Sequence, residues 1–413
     1  MGTPNYGAAL DRIVDASPSS LVELLRDVVE PLGAWDLVLY LVDFQGVVLQ
    51  PILLSRQPTG PIVAEEDVAG SMAGRAFQSG EPVTAARDGA TRVWVPLVER
   101  GERTGVVAVT VAQADESVLA DCVRLGRFAG LLVRAFARMS DLMHLQRRRR
   151  SMTLAASMQW DLLPPLTVRC SHALACGRLE PAYEIAGDAF DYTIDDRYLH
   201  SAIFDAMGHG VESTLMTTLA LGAYRHARRD GDHPSAAHRA ADEAVAAHYA
   251  GEAFVTGSIM RLELETGILE WTNAGHPRPM LLRGHRVIGS LECAASLPFG
   301  LGEECRAVAS QALEPGDSVL FFTDGVTEGR SHTGEEFGTD RLADLWSLHT
   351  SSGLLPDEIL RRLIEAVTTF NAGKLRDDAS LLQISWLGPN RQIIESGIGL
   401  RSRQSPVAGA TSS

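Results

Sequence analysis

The chain has 413 residues, 45% of them hydrophobic and 22% charged, with a formal net charge of −15. That length predicts two or three domains with sizeable cores, and the acidic balance argues against a general nucleic-acid binder. The five cysteines, Cys122, Cys170, Cys176, Cys293 and Cys305, form no Cys-x-x-Cys pair. They read as reduced, mostly buried thiols in a cytosolic protein, and they exclude a disulfide frame or a zinc site. No signal peptide is expected before Asp11, and no apolar run is long enough to cross a bilayer.

Residues 1–16 read as a loose start with a short helix. Ser19-Ser20 precedes an apolar pattern at Leu21, Leu24, Leu25, Val28 and Val29, which predicts a helix over 21–32. Asp36 to Asp43 and Val47 to Leu54 read as strands about a Gln45-Gly46 turn. A proline- and acid-rich loop through Pro61 and Glu66 follows, then a helix over 71–79 stopped by Gly80. Val93 to Val98 and Thr104 to Val111 read as a hairpin.

This order of elements resembles a GAF domain, the small α+β sensory module, over residues 17–137. The residues that carry the resemblance are Gly74 to Val83, Val95-Pro96-Leu97 and Gly105 to Val109. The Asn-Lys-Phe-Asp-type signature of cyclic-nucleotide-binding members is absent, and no cysteine is placed for bilin attachment. The resemblance leaves the ligand open, including a module that only dimerises.

Residues 118–163 read as one long helix, with a break near Arg147 to Arg150 as the alternative. Leu132, Ala135, Met139 and Leu142 alternate by four and three, as a homodimeric helical seam would. Four consecutive arginines read as a solvated face. Residues 138–165 are therefore expected to be a helical linker ending at Pro164-Pro165. Its Met158-Gln159-x-x-Leu162-Leu163-Pro164 run resembles the switch helix that precedes bacterial regulatory phosphatase domains.

From Thr167 onward, strands alternate with glycine turns. Helices are expected over 211–229, 235–249, 340–346 and 357–370, and hairpins about Glu265-Thr266-Gly267 and Gly284. Ser318 to Thr323 and Ser380 to Trp386 read as apolar strands. Short hairpins imply antiparallel sheet with helices on its outer faces, so the fold class is α+β. Residues 389–413 read as a polar, disordered tail.

The chemistry is expected in the stretch from Ile185 to Gly210. Asp188 and Asp205 each sit at a glycine-flanked bend, and a hairpin over 192–204 would bring both to one end of a sheet. Asp324, in Thr-Asp-Gly, and Asp377-Asp378 repeat the pattern of an aspartate at a strand end. His209 and His276 lie on similar loops. Clustered carboxylates suit hard divalent cations. Two such ions can activate a water and screen a phosphate under in-line attack. No Gly-x-Ser-x-Gly or Cys-x₅-Arg nucleophile motif is present.

Residues 166–388 closely resemble the bacterial SpoIIE/RsbU-like branch of the PPM (PP2C-type) serine/threonine phosphatases. The match rests on Ala186 to Tyr192, Phe204 to Gly210, Asn273 to Pro277, Leu297 to Gly302, Leu320 to Glu328 and Asp377-Asp378. It implies an α-β-β-α sandwich with two Mn²⁺ or Mg²⁺ ions. Asp205 would bridge both ions, with the carbonyl of Ala206 assisting, and Asp188 would hold one directly or through water. Asp324 and Asp377 would complete the other, with Asp378 as the register alternative. Asp191 is either a turn or hairpin residue or a support behind the ligands. His209 would pass a proton to the leaving serine oxygen, although relatives tolerate Lys there, and His276 orders the Asn273-Ala274-Gly275-His276 turn rather than touching substrate. The family's usual Gly-Gly-Asp is Ala186-Gly187-Asp188 here.

The resemblance further implies a cytoplasmic phosphatase acting on a phosphorylated STAS-type anti-sigma-factor antagonist, regulated by the GAF module and dimeric through the linker. Two other readings remain open: a catalytically silent regulator and a small-molecule phosphatase.

Overall fold

The computed structural model describes residues 2–52, 63–184, 187–302, 305, 307–373, 375 and 377–389. The expected loop around Pro61, the Ala186 departure and the expected tail beyond Pro389 lie outside the described residues.

The N-terminal part opens with helices α1 (Tyr6–Ile13) and α2 (Leu21–Val29), strands β1 (Trp35–Val42), β2 (Val48–Pro51) and β3 (Glu66–Asp67), and helix α3 (Met72–Ser79). It continues through β4 (Val83–Arg87), β5 (Ala90–Glu99), β6 (Glu102–Val111) and α4 (Glu116–Ala137). The six strands form one antiparallel sheet in the order β3-β2-β1-β6-β5-β4. Leu21, Leu24, Leu25 and Val28 recur at helical spacing and bury against the sheet together with Cys122, Leu125, Ala129 and Leu132 of α4. The opposite face is filled by Tyr40, Phe77, Trp94 and Val106. Asp115 caps α4 by accepting from the Val118 N–H at 2.9 Å. A Cβ on Gly105 would stand 1.9 Å from the Tyr40 carbonyl oxygen, so only glycine lets β6 cross β1 there.

The connecting segment is not one continuous helix. Beyond α4 come α5 (Leu142–Arg147) and α6 (Leu154–Leu162), separated by irregular backbone. The alternative break near Arg147 to Arg150 is present between α5 and α6, and a second break follows Ala137. The four-three alternation of Leu132 and Met139 is not a seam. Leu132 is buried in the N-terminal core, whereas Met139 is 69% exposed. α5 folds back because Met143 buries in that core and the Arg147 guanidinium donates to the Val42 carbonyl at 3.0 Å.

The C-terminal part is a four-layer sandwich. Its strands and helices are β7 (Thr167–Arg169), β8 (Ala173–Glu180), β9 (Asp188–Ile194), β10 (Tyr198–Ala206), α7 (Val211–Arg229), α8 (Pro234–Tyr249), β11 (Val255–Glu263) and β12 (Ile268–Ala274). They continue as β13 (Met280–Arg283), β14 (Arg286–Ser290), β15 (Ala309–Ala312), β16 (Ser318–Phe322), α9 (Asp324–Thr327), α10 (Thr339–Ser351), α11 (Pro356–Phe370) and β17 (Ala379–Trp386). One antiparallel sheet runs β15-β12-β11-β10-β9 and the other β14-β13-β16-β17-β8-β7. Phe190, Ile203, Trp271, Phe321 and Ile384 fill the space between the sheets. α7 and α8 cover the first sheet over Phe204, Tyr224 and Phe299, and α10 and α11 cover the second over Phe322, Trp346 and Leu363. This is the α-β-β-α arrangement expected from the sequence.

The two parts meet along a seam of ion pairs, hydrogen bonds and aromatic contacts. Arg103 of β6 pairs with Asp357 at the start of α11, Gln78 donates to Glu358 at 3.3 Å, and Phe44 packs on Trp160 with ring centroids 4.6 Å apart. Among the five cysteines, all free, only Cys122 and Cys176 are fully buried, so the expectation of mostly buried thiols is too strong. No helix among the described residues is long and apolar enough to cross a membrane.

Candidate active site

β9 and β10 are the expected hairpin, and their register places Asp188 directly opposite Asp205. Side chains alternate across a strand. Asp188 therefore shares a face with Phe190, and Asp205 with Ile203, both of which point between the sheets. The two carboxylates thus sit at one end of the sandwich, facing the second sheet. That sheet brings Asp324, just after β16, and Asp377-Asp378, just before β17. A Cβ on Gly325 would stand 1.9 Å from the Asp378 carbonyl oxygen, so the Thr-Asp-Gly turn closes onto the Asp-Asp loop only with glycine there.

The buried half of the site is tightly bonded. Thr323 Oγ1 donates to Asp188 Oδ2 at 2.8 Å and accepts from the Ser380 N–H at 2.9 Å. Asp378 Oδ2 accepts from the Asp188 N–H at 3.1 Å and from Gln159 Nε2 at 3.2 Å. Gln159 Nε2 also donates to the Asp188 carbonyl at 2.7 Å. Asp378 Oδ1 is buried with no hydrogen-bond partner. Asp377 is exposed at the rim, its Oδ1 accepting from the Asp378 N–H at 2.9 Å. At this loop Asp378 is buried and Asp377 is exposed.

Electrostatics tie the group together. Burial first, then the charges of Asp324, Asp377 and Asp378, hold the Asp205 carboxyl up at about 8. Burial and the charges of Asp205 and Asp378 lift Asp188 well above the usual carboxylate range. Asp378 is pushed up to about 7, chiefly by burial, and Asp324 is raised by burial and by Glu328 and Asp377. The opposing influences are hydrogen bonds, not cations. Crowded carboxylates of this kind ionise fully only when positive charge joins them. Among the described residues, no three His, Cys, Asp or Glu side chains are grouped so that they could hold a metal ion as they stand. The oxygen-only chemistry and the unpartnered Asp378 Oδ1 nevertheless fit hard divalent cations, and Mg²⁺ characteristically keeps several waters and few direct protein ligands.

The other sequence candidates fall outside this cluster. Asp191 is a strand residue of the β9–β10 hairpin, on the face opposite Asp188, and pairs with Arg225 at 2.9 Å and with Arg228 of α7. His276 is buried; its N–H donates to Asn273 Oδ1 and its carbonyl accepts from Asn273 Nδ2, each at 2.8 Å, so it orders that turn. His209 is exposed in the loop after Asp205. The Ala206 N–H donates to the Gly187 carbonyl at 3.4 Å, at the open end of the hairpin. Thr323 was not singled out from the sequence, and Gln159 was visible only as part of the linker-helix run.

Residues 195–387 match the family model "Stage II sporulation protein E (SpoIIE)", a span that holds Asp205, Asp324, Asp377 and Asp378 but not Asp188. Phosphoserine phosphatase RsbU of Bacillus subtilis is 26% identical over 232 residues, which cover 55% of this chain and 68% of the relative. Stage II sporulation protein E of the same organism is 23% identical over 205 residues, covering 48% of this chain and 24% of the relative. The solved SiaA-PP2C domain of Pseudomonas aeruginosa superposes with a TM-score of 0.47 at 22% identity, covering 56% of this chain and 94% of that one. This chain thus spans about two thirds of one curated relative and about a quarter of the other. Its C-terminal part is thus similar to SpoIIE-type domains and to the phosphoserine phosphatase RsbU.

Proposed function

We propose that the chain is a metal-dependent protein serine/threonine phosphatase whose N-terminal part is a GAF-like regulatory domain. The observation that supports this most is the convergence of carboxylates from both sheets, each lifted by burial and mutual repulsion with no cation opposing it. In this reading Asp205, Asp188, the Ala206 carbonyl, Asp324 and Asp377 would hold two Mn²⁺ or Mg²⁺ ions. Bound there, the ions would supply an acidified water and charge screening for a phosphoryl group. Thr323 fixes the orientation of Asp188 through its 2.8 Å hydrogen bond. Asp378 acts from beneath, holding the Asp188 backbone and Gln159.

The regulatory part of the reading rests on α6. Gln159 is the point where the connecting segment touches the carboxylate cluster, so a shift of α6 changes how Asp188 and Asp378 are held. The substrate is proposed to be a phosphorylated STAS-type anti-sigma-factor antagonist in the cytoplasm, by kinship with the phosphoserine phosphatase RsbU. Homodimerisation and a small GAF ligand belong to the same proposal.

The test is calorimetric titration of the full-length protein with Mn²⁺, beside Asp205→Asn. Two sites per chain in the wild type, with at least one lost in the variant, support the reading. No binding to the wild type overturns it and favours a silent regulator.

A further inference from the structure

Five large apolar side chains, Met207, Val211, Leu215, Leu297 and Leu301, stand between 37% and 47% exposed. The topology gathers them at the end of the five-stranded sheet that carries Asp205. Met207 follows β10 directly and its N–H donates to the Phe254 carbonyl at 3.2 Å. Val211 and Leu215 open α7 one turn apart, on the face opposite buried Met216. The loop bearing Leu297 and Leu301 bridges back to β11, where Phe299 and Val255 exchange backbone hydrogen bonds of 2.8 and 3.0 Å. Val255 in turn pairs with Ala206.

These side chains are presented by fixed backbone. Phe299, between the two leucines, is fully buried, and the N–H groups of Gly300 and Gly302 both donate to Asp242 Oδ1, at 2.8 and 3.2 Å. An apolar patch held outward in this way marks an interaction surface. Its continuity with the carboxylate cluster decides the occupant: whatever carries a phosphate into the site lies across this rim. Charge points the same way, because a chain of net charge −15 does not attract an acidic phosphopeptide at long range. Recognition beside the phosphate must then come from apolar contact.

We infer that this rim docks a phosphoserine-bearing polypeptide through apolar residues next to the phosphorylated serine, an inference that rests on the phosphatase reading above. The probes are two short alanine-rich phosphoserine peptides, one with leucines and one with serines at the third, fourth and seventh positions after the phosphoserine. Full-length protein with Mn²⁺ is predicted to prefer the leucine peptide about tenfold in kcat/KM. Leu215→Ser and Leu297→Ser each reduce that preference while leaving p-nitrophenyl phosphate turnover unchanged. Anisotropy with the labelled peptides on Asp205→Asn reads docking without chemistry, and tighter binding of the leucine peptide there supports the docking surface even if turnover is absent. Absence of turnover would count against the phosphatase reading alone. Equal turnover and equal binding of the two peptides would overturn the docking surface. So would loss of self-association in Leu215→Ser without any peptide preference, which would assign the patch to a second copy of the chain.

Discussion

Gln159 Nε2, near the end of the connecting segment, donates to the backbone carbonyl of Asp188 at 2.7 Å, across 29 positions of sequence. The same nitrogen reaches Asp378 Oδ2 at 3.2 Å. One amide therefore supports two of the carboxylate positions, from an element outside both sheets. Groups that orient metal ligands typically influence affinity or activity by about 10–100-fold. Gln159→Ala is predicted to weaken Mn²⁺ binding within that range while the circular dichroism spectrum is retained. Unchanged affinity would remove α6 from the account.

Asp205 supplies the acid-base prediction. Its carboxyl titrates at about 8 in the folded chain, above the unfolded carboxylate value. A raised folded value means that the group's contribution to stability is complete below the unfolded value near pH 4. That contribution fades as pH rises through about 8. Metal-free protein should accordingly lose stability between those limits, and Asp205→Asn should flatten the slope in urea titrations run across them. A slope unaltered by the variant would contradict the repulsion described here.

His276 gives the opposite sign. Burial lowers its imidazole from 6.5 to about 3, so the folded protein holds it neutral while the unfolded chain protonates. Its contribution is present above pH 6.5 and is lost as pH falls toward 3. His276→Gln should therefore cost stability at pH 7.5 and cost less at pH 5, measured by chemical denaturation. An equal cost at both would mean that the ring is not held neutral.

The connecting segment separates two substitutions that its sequence pattern groups together. Leu132 is 4% exposed, and Leu132→Asp places a charge in the N-terminal core, at a predicted cost above about 4 kcal/mol. Met139→Asp, at an exposed position, should stay within about 0.5 kcal/mol of the parent. Thermal unfolding of both checks this, and sedimentation of Met139→Asp tests directly whether the exposed segment just after α4 mediates dimerisation.

Much of this architecture was legible because period-two alternation and glycine turns are local signals. The hairpin that sets Asp188 against Asp205 is an example: its apolar run, turn and second run fix the register without tertiary help. β8 was not, since Ala173 to Glu180 is buried on both faces and rich in small residues, so it shows no alternation. The break after Ala137 was hidden for another reason. No proline or glycine stands there, and docking of Met143 and Arg147 overrides helical propensity. Thr323 and the bond made by Gln159 depend on distant segments meeting, which spacing along the chain does not encode. The arginine partners of Asp191 lie 34 and 37 positions away, so its support from α7 does not show in the local sequence.

The seam between the two parts offers a further check. The Arg103 side chain is 3% exposed and its carboxylate partner, Asp357, 25%. Removing one member of a buried pair costs about 3 kcal/mol, because the other is left without its counter-charge. Asp357→Ala should loosen the docking of the N-terminal part and speed tryptic cleavage among Arg147 to Arg150. Cleavage at the parent rate would show that the pair does not hold the seam.

The most direct test of the central claim is phosphate release from a phosphoserine peptide by the full-length protein, titrated with Mn²⁺ and reversed by chelator, beside Asp205→Asn. The account predicts turnover that rises with Mn²⁺, disappears with chelator and is reduced at least about 10³-fold in the variant. Turnover indifferent to Mn²⁺ or retained by Asp205→Asn would contradict it.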